Sequence, residues 1–75
     1  MIIGLHEMGQ RCKKFRIEHS FYQADVAFDT GYSTENISAF ENGRNDNARI
    51  LLWYLSHGMP VEHLFEGGVK HGTEI

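Results

Sequence analysis

The fold turns on 23 residues, Tyr22-Gln23-Ala24-Asp25-Val26-Ala27-Phe28-Asp29-Thr30-Gly31-Tyr32-Ser33-Thr34-Glu35-Asn36-Ile37-Ser38-Ala39-Phe40-Glu41-Asn42-Gly43-Arg44. Gly31 and Gly43 cut this stretch into helix-sized pieces, since glycine is the usual residue just past a helix end, where the backbone turns left-handed. Ser33 is a good N-cap, so a helix is expected over Thr34 to Asn42 with Ile37 and Phe40 facing inward. The piece before Gly31 carries Val26 and Ala27 as inward residues. Ser20 followed three residues later by Gln23 reads as a capping box, which predicts that this helix opens at Ser20 and ends at Thr30. Gly31-Tyr32-Ser33 is then a three-residue turn between two helices.

The flanks continue the pattern. Met8, Cys12 and Phe15 recur at i, i+4 and i+7, one apolar stripe on a helix from about Met8 to His19. Asn45-Asp46-Asn47 is a loop that can cap a further helix, Ala48 to His57. That helix is apolar nearly all round through Ile50, Leu51, Leu52, Trp53, Tyr54 and Leu55, and so is expected to be covered on more than one side. Pro60 suits the first turn of a short fifth helix carrying Val61, Leu64 and Phe65. The expectation is an all-α domain of five short helices over residues 1–66, with a helix-turn-helix at about 22–42 and a flexible tail over 67–75.

Composition narrows the function. A chain of 75 residues is one domain with little core to draw on. It has one cysteine, Cys12, so no intrachain disulfide, and its five histidines have no zinc-ligand spacing. No cofactor and no metal are expected. No Cys/His pair, carboxylate pair or phosphate loop has a supporting context, so the chain is not expected to be an enzyme. The lone Cys and the absence of a signal-peptide pattern point to a reducing, cytoplasmic setting. The apolar start Met1–Leu5 is too short for a membrane span. The net charge of −3 opposes nucleic acid, but it is unevenly spread. Arg11, Lys13, Lys14 and Arg16 against Glu7 and Glu18 leave the first 19 residues at +2, and the remainder at −5.

The central stretch resembles the Cro/repressor (XRE-like) helix-turn-helix family of phage and bacterial regulators. The residues that carry the resemblance are Gln23, the pair Val26-Ala27, Gly31, the pair Ile37-Ser38, and Glu41-Asn42-Gly43-Arg44. It extends from about Met8 to Phe65. The resemblance implies a recognition helix that enters the major groove, with base edges read by Ser33, Thr34, Glu35, Ser38 and Ala39, and Asn36 adjacent. It implies phosphate contacts from Gln23, Asn42 and Arg44, and a partly buried structural ion pair between Arg16 and Glu41. The implied partner is a double-stranded DNA operator, and the implied role a repressor-like transcription regulator of a phage or mobile element. Departures from the pattern are Tyr22 in place of a small cap, Thr30 in place of an aliphatic residue, and the acidic Glu35 on the reading face.

A second reading keeps the fold and changes the partner. Leu52 and Leu55 fall where that family is usually polar, and Phe28 and Phe65 are further apolar candidates for a protein interface. Such a face fits a homodimer seam, or a modulator that docks on a partner repressor instead of DNA.

Overall fold

Gly4, with extended backbone (φ −72°, ψ 166°), opens the first helix, and Met8 N–H donates to Gly4 O at 2.9 Å. In the computed structural model, which describes residues 1–67, this helix, α1, is Leu5–Glu18. It starts three residues before the expected Met8, because a glycine caps through backbone geometry and leaves no side-chain signature. α2 is Gln23–Thr30, α3 is Thr34–Glu41 and α4 is Ala48–Ser56. The expected fifth α-helix is a single 3-10 turn, Val61–Leu64, and there is no strand among the described residues. The stretch 68–75, nearly all of the tail expected to be flexible, lies outside the described residues.

Local chemistry accounts for each boundary. Ser20 is the one non-glycine residue with positive φ, 62°, among the described residues, and it reverses the chain at the end of α1. It is therefore unavailable as a cap, and the expected Ser20–Gln23 box does not form. Instead the N–H of Tyr22 donates to Asp25 Oδ2 at 2.7 Å, and α2 opens at Gln23. Thr30 turns its Oγ1 back onto Val26 O at 2.7 Å, and Gly31 follows with φ 83°, as the turn requires. Ser33 Oγ accepts from Asn36 N at 3.2 Å, the expected cap of α3. Asn47 Oδ1 does the same for α4, accepting from Arg49 N at 2.9 Å and Ile50 N at 3.3 Å.

The fifth helix fails for a tertiary reason. Phe65 goes extended and forms an antiparallel bridge with Ile2. Ile3 N–H donates to Leu64 O at 3.0 Å and Glu66 N–H to Met1 O at 2.9 Å. Arg11 Nη1 reaches from α1 to His63 O (2.9 Å) and Phe65 O (3.1 Å), fixing the same segment. The two ends of the described chain thus close on each other over α1.

The core joins Cys12 and Phe15 of α1, Val26 of α2, Ile37 and Phe40 of α3, and Ile50, Trp53 and Tyr54 of α4, with Met59 below. Ala27, Leu51 and Leu55 pack against its edge. Of the inward residues read from periodicity, Met8, Cys12, Phe15, Val26, Ile37 and Phe40 are buried, Ala27 is half-buried, and Val61 and Phe65 of the expected fifth helix are exposed. Two helices also meet without side-chain padding. A Cβ on Gly9 of α1 would collide with the carbonyl oxygens of Phe40 and Glu41, so the glycine sets how closely α1 and α3 cross. No helix among the described residues is long and apolar enough to cross a membrane.

Candidate nucleic-acid interface

The candidate face is built on a buried carboxylate that ties all four helices together. Glu41, the last residue of α3, is 1% exposed. Arg16 of α1 meets it bidentately, Nε to Oε2 at 2.7 Å and Nη2 to Oε1 at 3.1 Å, the two parallel bonds that favour arginine in such a pair. Gln23 Nε2 of α2 donates to Oε1 at 3.2 Å, and Tyr54 of α4 donates its hydroxyl to Oε2. The expected Arg16–Glu41 pair is present, but the amide and the phenol were not foreseen. Gln23 was expected to meet phosphate and not Glu41, and Tyr54 in an apolar run gave no polar signal.

Burial pushes the Glu41 carboxyl up, but the bonds from Arg16, Tyr54 and Gln23 outweigh it and hold Glu41 below its ordinary 4.5. The side-chain bond to Glu41 raises Arg16 further above its ordinary value. Burial, followed by the nearby carboxylate, pushes the Tyr54 phenol up as well. Cys12 lies in the same core, and burial raises its thiol to about 12. It is an inert core residue there.

With Ile37, Phe40 and Glu41 fixed inward, the opposite side of α3 faces solvent. Ser33, Thr34, Glu35 and Asn36 are exposed, and Ser38 and Ala39 are half-buried. Ser33 and Asn36 spend their side chains capping each other. Thr34 and Glu35 have no side-chain partner among the described residues. The first turn of α3 therefore presents one hydroxyl and one carboxylate outward.

The residues expected to hold phosphate are less free than the sequence reading assumed. The Gln23 amide is turned inward to Glu41. Asn42 Nδ2 is held by Ser38, donating to its O at 3.0 Å and its Oγ at 3.4 Å. Arg44 is exposed, with no side-chain partner among the described residues. Arg49, passed over in the sequence reading, is in the same state on the first turn of α4. A cation just after the capping Asn47 was the signal that could have found it. Exposed Asp25, Asp29, Glu35 and Asp46 oppose these two cations.

The four residues expected at a protein interface divide. Phe28 on α2 is 88% exposed and Leu52 on α4 is 60% exposed. Leu55 is half-buried and packs against the edge of the core. Phe65 is partly exposed, but its backbone is committed to the bridge with Ile2. No protein-family model, curated protein or solved structure matches this chain.

Proposed function

We propose that this chain is a Cro/repressor-like helix-turn-helix domain that binds operator DNA through α3 and regulates transcription in the cytoplasm of a host carrying a phage or mobile element. The observation that carries the reading is the junction Thr30–Ser33. Two eight-residue helices are joined by a three-residue turn, the second locked inward by Ile37, Phe40 and Glu41 while its first turn stands free in solvent. That arrangement lets a helix N-terminus enter a major groove, where free N–H groups favour phosphate and the short side chains Ser33 and Thr34 fit base edges. Glu35 is suited to accept from cytosine N4, and Ser38 and Ala39 lie one turn further along the same helix. Arg44 and Arg49 are the cations available for phosphate, while Gln23 and Asn42 act chiefly by holding α3 in place. No cofactor enters this reading.

The test is a titration against the DNA flanking the protein's own gene at two salt concentrations. Binding that depends on sequence and weakens with salt is expected, because each phosphate contact releases counterions. Removing both Arg44 and Arg49 is expected to flatten that salt dependence. An absence of binding at low salt would overturn the reading. It would favour the alternative, a domain of this fold that docks on a partner repressor, for which the exposure of Phe28 and Leu52 is the supporting observation.

A further inference from the structure

One face of α2 stands largely in solvent and is unsuited to DNA. Tyr22, Asp25, Phe28 and Asp29 fall within an arc of about 120° on a helix of 3.6 residues per turn. Phe28 is 88% exposed and Tyr22 is 74% exposed. Two aromatic rings left in water on one short helix lie outside the usual pattern of single scattered apolar residues. Both carboxylates are rigidly placed. Asp25 Oδ2 accepts from Tyr22 N at 2.7 Å, and Asp29 Oδ2 accepts from Trp53 Nε1 at 2.8 Å across to α4. The second oxygen of each has no partner among the described residues. α2 contains no cation. Beside Tyr22 a shallow groove of about 330 Å³ is lined by Arg16, Ile17, Ser20 and Phe21, and its one cation, Arg16, is already held by Glu41.

We infer that this face docks an arginine-bearing apolar segment of a partner protein. The guanidinium group matches what the face offers: it stacks on aromatic rings and bonds carboxylates in a planar fork. Its aliphatic stem suits a groove walled by Ile17, Phe21 and Tyr22. The charge excludes the other occupants. Phosphate would meet Asp25 and Asp29 with no cation on α2 to offset them. A second copy in a twofold contact would set the same two carboxylates against their duplicates. The inference is independent of DNA binding by α3, since the two use different helices and residues.

The probe is the synthetic peptide acetyl-(Ala-Arg-Leu-Arg)3-amide, titrated into the ¹⁵N-labelled full chain, with the corresponding Lys and Glu peptides as controls. Amide shifts confined to residues 17–29 are expected, with the Arg peptide binding more tightly than the Lys peptide and the Glu peptide not at all. Phe28→Ala is expected to weaken binding about tenfold and Phe28→Ala with Tyr22→Ser to abolish it. Both variants should keep the wild-type circular dichroism and melting temperature, because the rings are exposed and serine is a good cap. Equal binding by Phe28→Ala, or shifts spread over Glu7, Glu62 and Glu66, would reduce the effect to net charge and overturn the inference. So would the absence of shifts at millimolar peptide, or a wild-type dimer in sedimentation that Phe28→Ala dissociates.

Discussion

At the residue scale the molecule depends most on Glu41. Removing one member of a buried ion pair strands the other, at a cost of about 3–5 kcal/mol. Glu41→Gln should therefore destabilise the fold by that amount in urea unfolding followed by Trp53 fluorescence; a loss under about 1 kcal/mol would show that Arg16 finds water instead. Arg16→Met with Glu41→Leu should recover most of the loss, since apolar pairs of similar volume substitute well for buried ions. The pH dependence has a definite sign. Glu41 titrates below its unfolded value of 4.5, so its contribution is fully present above pH 4.5 and is lost as pH falls through the folded value. The wild type should lose stability on that acid limb, and Glu41→Gln should lack that part of the loss. Cys12 offers a separate check. With its thiol raised to about 12 and no exposed surface, it should react with a thiol reagent at pH 8 only as fast as the protein opens. Rapid labelling of the native protein would contradict its burial. Arg16 and Glu41 were legible as a pair because the surrounding motif was, whereas Tyr54 was hidden among aliphatic neighbours.

At the element scale the helices divide by how local their signals are. Ser33 and Asn47 cap with their own side chains, Gly31 turns the backbone at φ 83°, and each could be read directly from the residue type. The start of α1 and the opening of α2 could not. Gly4 caps with no side chain, and Ser20 adopts φ 62° where its sequence context favoured a cap. Gly9 is the most instructive miss, because a glycine inside a helical pattern reads as a weakness of about 1 kcal/mol relative to alanine. Here it is the point at which α1 meets the end of α3 backbone to backbone. Gly9→Ala should therefore destabilise despite its better helix propensity, by about 1–3 kcal/mol, the usual cost of overpacking. The loss should appear together with weakened protection of the α3 amides in hydrogen exchange, since α3 must move for the methyl to fit. A variant as stable as wild type would show that the two helices can separate freely. The same movement would displace Glu41 from Arg16, so the local substitution and the buried network are coupled.

At the scale of the whole molecule the chain closes through contacts that no local pattern announces. Ile2 and Phe65 are 63 positions apart, and their pairing replaces the helix that Pro60, Val61 and Leu64 led one to expect. Helical periodicity describes a segment in isolation, and a 3-10 turn with an extended exit wins only because Met1–Ile3 offers it hydrogen-bond partners. Arg11 is the hinge of this closure: its Nη1 bonds both His63 O and Phe65 O, while its Nε and Nη2 are steadied by Glu7 Oε2 at 3.2 and 2.6 Å. Arg11→Met keeps the apolar stem and removes the donors, which leaves two carbonyls to find water. Since the site is partly exposed, the global cost should stay near 1 kcal/mol, the usual worth of such bonds. The local effect should be larger in proportion: the amides of Ile3 and Glu66 should exchange about tenfold faster while those of α2, α3 and α4 are little changed, as expected for a separately opening unit. Uniform acceleration across all helices would mean instead that the closure and the four-helix core open as one. In that case the terminal staple would be part of what holds α3 in position. If the proposed operator binding holds, the Arg11 variant would then also weaken it, although Arg11 is not among the residues proposed to touch DNA.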